Sequence, residues 1–159
     1  MQKRLILTFI LVVYSAALIK VVVFKDLELR TRSLIFRLGP GRTGPANFVP
    51  FKTILPQLRG EPRRRVAAMN LLGNTVPFLP IGFLVPLVFR KMTWRKSLAL
   101  AVAVGLAMEG MEGVFRVGTV DVDDVILNAL GVMVGYGVFT ISRTTKRDVA
   151  VPATTTTTR

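Results

Sequence analysis

Residues 66–89 carry no charge over 24 positions. Helical rise is about 1.5 Å per residue, so a run of that length extends about 36 Å, enough for a hydrocarbon core about 30 Å thick. It has companions. Residues 5–24 hold one charge, Lys20, placed near the end where a long side chain reaches the headgroups. Residues 125–142 are uncharged, and residues 97–115 are apolar apart from Ser97, Glu109 and Glu112. With 51% hydrophobic residues and a mean hydropathy of +0.51, the chain segregates its apolar residues as soluble domains do not. The pattern predicts an all-α fold: an integral membrane four-helix bundle with a partly interfacial or re-entrant first loop.

The first span begins with the basic Gln2-Lys3-Arg4 of a signal peptide. Its apolar stretch is longer than a signal core, and no small-x-small cleavage site precedes Lys25, so a retained anchor helix is expected. Basic residues number 10 on the N-terminal side, second loop and tail, and 11 in the first and third loops. Short loops and span flanks count most, which favours both termini in the cytoplasm, with Arg63–Arg65 opposing. The net charge of +13 flanks the spans, as membrane-edge Lys and Arg do, and no nucleic-acid partner is expected. With neither cysteine nor histidine, thiol nucleophiles, thiolate metal sites and the commonest general base are excluded.

Three regions are expected. Residues 1–46 hold the anchor and the first part of the extracytoplasmic loop, 47–143 the membrane domain proper, and 144–159 a disordered tail with five threonines in a row. In the long connection, Leu27–Arg32 alternates briefly like an exposed strand, and Gly39-Pro40-Gly41 and Gly44-Pro45 mark turns. Residues 47–55 are too apolar for a solvated loop and are expected in the interface or folded back on the bundle. In the second span Pro77, Pro80 and Pro86, with Gly73 and Gly82, predict a bend between residues 74 and 82.

Up-down threading brings the hydrophilic residues of three spans to one leaflet. Asn70, Asn74 and Pro77 share a face; Gly105, Glu109, Glu112 and Arg116 form a stripe; Asp124, Asn128, Gly131 and Gly135 form another. Glu112 and Arg116 have the favourable acid-then-base spacing, and a turn at Gly118 leads to Asp121, a candidate N-cap. Gly131 and Gly135 suit close helix contact. Charged side chains at membrane depth are costly and mark functional sites by default.

Four ordered motifs carry a resemblance. They are Asn47-Phe48-Val49-Pro50-Phe51-Lys52-Thr53-Ile54, Asn70-x3-Asn74-x3-Phe78-x-Pro80-x-Gly82, Glu109-x2-Glu112-x3-Arg116, and Asp123-Asp124-x3-Asn128-x2-Gly131-x3-Gly135-Tyr136. Together they resemble the VanZ-like family, small bacterial membrane proteins named for a member linked to resistance to the glycopeptide antibiotic teicoplanin. The resemblance covers residues from about 47 to 140. It implies a multi-pass protein of the bacterial cytoplasmic membrane, acting at the cell envelope. Glu112 departs from it, since the family pattern has glutamine there.

Two function classes follow. In the first, Asn70, Asn74, Glu109, Glu112, Arg116, Asp123, Asp124 and Asn128 line an outward-facing polar cavity. That cavity binds or gates an amphipathic envelope ligand: a lipid-linked wall precursor, a glycolipid or a lipoglycopeptide antibiotic. In the second, the protein is an intramembrane enzyme on such a lipid, with Glu109 or Glu112 as base and Arg116 stabilising developing charge. Binding is preferred, because no nucleophile is paired with an activating base. The plain structural alternatives are an ion pair of the glutamates with Arg116 and amide hydrogen bonds between helices. A divalent cation on Asp123, Asp124 and the glutamates is the weaker idea, so neither metal nor cofactor is expected. A transporter would need more spans than four, unless the chain forms a homo-oligomer. Expected partners are membrane lipids or a lipid-linked envelope precursor.

Overall fold

Within a bilayer core only intrahelical hydrogen bonds can satisfy the backbone of an isolated segment, so each apolar run becomes a helix. A computed structural model describes residues 2–23, 45–115 and 119–149. It contains α1 (Gln2–Val23), α2 (Ile54–Leu58), α3 (Arg64–Thr75), α4 (Leu79–Val88), α5 (Trp94–Phe115) and α6 (Val122–Val149). Among the described residues, four stretches are long and apolar enough to cross a membrane: Gln2–Val22, Arg64–Val88, Trp94–Phe115 and Val122–Thr145. The fold is the all-α four-helix membrane bundle. The Leu27–Arg32 alternation, the turns at Gly39-Pro40-Gly41, Gly44 and Gly118, and residues 150–159 lie outside the described residues. α6 continues to Val149, so the start of the expected tail, at residue 144, is helical.

The second span is built from α3 and α4, joined by a 3-10 turn at Val76–Phe78. Pro77 and Pro80 lack N–H groups, so α-helical bonding fails between them and the chain tightens. The bend expected between residues 74 and 82 takes this form. At this break the Tyr14 hydroxyl of α1 donates to the Pro77 carbonyl at 2.7 Å.

α6 is the hub, packed against α3, α4 and α5, while α1 lies outside against α4 and α5. Lipid tails are as apolar as leucine, so dispersion at close range, not water exclusion, must hold such helices together. Glycines permit the approach. A Cβ on Gly82 of α4 would overlap the Val132 carbonyl, and Cβ atoms on Gly131 and Gly135 of α6 would overlap the carbonyls of Thr75 and Leu79. Phe78 and Val132 fill the centre of this contact, both fully buried. Across the other face of α6, Gly105 of α5 sits against Val125.

Arg4 donates from Nη2 and Nε to the Val88 carbonyl at 2.9 and 3.3 Å, placing a cation on the C-terminus of α4. The start of α1 and the end of α4 therefore share a level. α5 then returns to the opposite end, where α6 begins.

Candidate functional site

Three acids open the last span: Asp121 and Asp123 meet the segment before α2, and Asp124 meets α3. Asp121 is the expected N-cap: its Oδ1 accepts the Asp123 N–H at 2.9 Å, and its carbonyl takes the Asp124 N–H. Negative charge at this helix start is favoured by the unsatisfied N–H groups of the first turn.

The segment before α2 folds onto that helix start. Asn47 and Asp121 form a parallel bridge, with Asn47 N–H on the Val120 carbonyl at 2.8 Å and Val122 N–H on the Asn47 carbonyl at 2.9 Å. Asn47 Nδ2 donates to Asp121 Oδ1 at 2.9 Å. Asp123, fully buried, accepts the Phe51 N–H on Oδ1 at 2.5 Å. Its Oδ2 accepts the N–H groups of Thr53 and Ile54 at 2.6 and 3.1 Å. Thr53 Oγ1 stands between the carboxylates, 2.7 Å from Asp121 Oδ2 and 2.9 Å from Asp123 Oδ2. With one hydrogen, that hydroxyl donates to one of them at a time. Phe51 adopts a φ of +64°, a left-handed conformation costing a non-glycine residue about 1–2 kcal/mol, and so turns its own N–H and that of Thr53 onto one carboxylate.

Two more elements reach the same end. Glu109 of α5, 4% exposed, accepts the Asp121 N–H on Oε2 at 2.8 Å. Asn74 of α3 donates from Nδ2 to Asp124 Oδ1 at 2.5 Å. Thus α3, α5 and α6 meet through Asn74, Glu109, Asp121 and Asp124. Glu112 is buried on the face of α5 that carries Glu109 and Gly105, and Asn70 is half-buried one turn before Asn74. Arg116 lies outside the described residues, as does its spacing with Glu112.

One turn beyond Asp124, Asn128 is 2% exposed, and its Oδ1 is buried with no hydrogen-bond donor among the described residues. Gln57 of α2 likewise buries an unmatched Oε1. Chemically the region is rich in acceptors: carboxylates and amide carbonyls that suit a ligand's hydroxyl or amine hydrogens. Among the described residues no three carboxylates are disposed to hold a metal ion, and the Asp123 oxygens already face N–H donors.

Asn47 and Thr53 bond to these acids as well, and although both stand in the first of the four motifs, nothing in the sequence names their partners. Their signal is faint: two polar residues bracketing an apolar stretch, Phe48 to Phe51, that precedes a span.

The family model described as VanZ/LLP1 matches residues 9–143. Protein VanZ of Enterococcus faecium is 26% identical over 73 residues, covering 46% of this chain and 45% of the relative. The matched stretch thus spans less than half of that relative's length. No solved structure matches the chain.

Proposed function

Because the chain belongs to the VanZ/LLP1 family, as a bacterial envelope membrane protein of the VanZ type, we propose that it binds an amphipathic envelope ligand at the acidic end of its bundle. The ligand class is a lipid-linked wall precursor, a glycolipid or a lipoglycopeptide antibiotic. Its tail lies beside the spans and its polar head among Asn74, Glu109, Glu112, Asp124 and Asn128, with Arg116 offered to an anionic group. The start of α1 and the end of α6 face the cytoplasm, so the polar end faces outward.

The observation that carries this reading is the Asn128 carbonyl oxygen, buried with no donor among the described residues. Such an atom costs about 1–3 kcal/mol unless something donates to it, and a ligand hydroxyl or amine would do so. Binding is favoured over catalysis because the chain, which has neither cysteine nor histidine, pairs no nucleophile with an activating base.

Native mass spectrometry of the detergent-solubilised protein tests it, with wild type and Asn128→Leu side by side. Wild type should carry an envelope lipid or lipid-linked precursor. Asn128→Leu should lose it while melting no lower, since an unmatched polar atom has been removed from the interior. Equal retention by the two proteins would refute the proposal.

A further inference from the structure

The loop that carries α2 presents an apolar edge at a height fixed by hydrogen bonds. Phe51, Thr53 and Ile54 are held by Asp123, next to the residue where the α6 span starts, Val122. α2 leads directly into the span that starts at Arg64. Residues 48–58 are therefore level with the ends of two membrane-crossing helices.

At that level α2 is two-faced. Ile54 and Gln57 point inward and are buried, whereas Leu55 and Leu58 on the other side are 50% and 67% exposed. Phe48, at 74% exposed, and half-exposed Phe51 extend the apolar edge, which continues onto α3 through Met69 and Leu72. Beside it the charge is one-sided. Lys52, Arg59, Arg63, Arg64 and Arg65 are exposed, and Glu61 is the one acid between residues 52 and 65.

We propose that this loop lies in the headgroup layer of an anionic leaflet, with Leu55 and Leu58 among the upper acyl carbons and the arginines on lipid phosphates. Apolar side chains beside a basic cluster at the interface are the composition of a surface-lying membrane element. A guanidinium matches phosphate through paired N–H donors. α2 packs against α3, whose exposed Met69 and Leu72 belong to a membrane-crossing stretch, which favours lipid over a second copy of this chain as the covering phase.

The test uses the full chain with Trp94→Phe and either Leu55→Trp or Leu58→Trp, in phosphatidylcholine vesicles with and without phosphatidylglycerol. Both tryptophans should emit at short wavelength and be quenched by acyl-brominated lipid. In detergent, wild type should co-purify with phosphatidylglycerol in excess over phosphatidylcholine. Replacing Arg63, Arg64 and Arg65 with Gln should lower that enrichment about fivefold per charge removed. Water-like emission indifferent to brominated lipid would overturn the proposal. So would pairwise cross-linking of Leu55→Cys chains with unquenched tryptophan at position 58, since a second copy would then cover the edge. An enrichment unchanged in the triple variant would overturn the lipid-phosphate contact. Asn128→Leu should leave all these readouts unaltered, which separates this surface from the ligand site.

Discussion

Thr53 places its backbone nitrogen 2.6 Å and its hydroxyl 2.9 Å from the same oxygen of Asp123, across 70 residues of sequence. The Ile54 N–H reaches that oxygen as well, and the Phe51 N–H reaches its twin. A fully buried carboxylate is tolerated at a membrane boundary only if its lost hydration is replaced, and here the loop's backbone replaces it. The loop is thus part of how the last helix begins, and its conformation is coupled to the stability of the span. The same bonds set the height at which its apolar edge rides.

Asp123→Asn isolates that coupling. An amide offers one acceptor where the carboxylate offers two, so it turns an NH2 group toward either the Phe51 N–H or the donors from Thr53 and Ile54. Hydrogen bonds to charged groups contribute about 1.5–3 kcal/mol each, so the loss should be about 3–5 kcal/mol. We expect a clearly lowered Tm in detergent and faster proteolysis between residues 48 and 60. A Tm indistinguishable from wild type would mean that the carboxylate does not hold the loop.

The glycine contacts predict a contrast between positions of one residue type. Gly131→Ala and Gly135→Ala drive a methyl into the carbonyls of Thr75 and Leu79, which separates α6 from the second span. Overpacking of this kind costs about 1–3 kcal/mol. Gly110→Ala and Gly137→Ala meet nothing within 4 Å and gain helix propensity, up to about 1 kcal/mol. Thermal melts of the four variants should therefore split in sign. A uniform loss would show that α6 is not seated on these carbonyls.

What the sequence displays of this fold depends on how local each cause is. Spans were legible because hydropathy acts residue by residue, and the break in the second span because Pro77 and Pro80 remove donors wherever they stand. The Asp121 cap was legible for the same reason. That Asn74 and Glu109 reach the end where α6 begins follows from threading, since adjacent spans return to the same leaflet, but their pairing with Asp124 and Asp121 does not. The partners of Asp123 were not legible: they are backbone N–H groups, which every residue but proline has. Their aim depends on a positive φ at Phe51 that a phenylalanine does not advertise.

Glu109 allows shape, charge and acceptor to be separated. Its Oε2 accepts the Asp121 N–H at 2.8 Å, and both residues are buried. Glu109→Gln keeps a carbonyl oxygen there and can keep the bond, whereas Glu109→Leu leaves a buried N–H without an acceptor, at about 1–3 kcal/mol. If the glutamate serves the fold chiefly as a buried counter-charge, glutamine fails as badly as leucine, because breaking a buried pair costs about 3–5 kcal/mol. We expect the first pattern: a Tm near wild type for Glu109→Gln and a lower one for Glu109→Leu. Glu112, buried on the same helix, keeps a carboxylate at this end of the bundle in the glutamine variant. Co-purified lipid should nevertheless be lost from Glu109→Gln, because the charge removed is the one offered to the ligand. A glutamine variant that melts far below wild type while retaining its lipid would make Glu109 a structural counter-charge and remove it from the binding site.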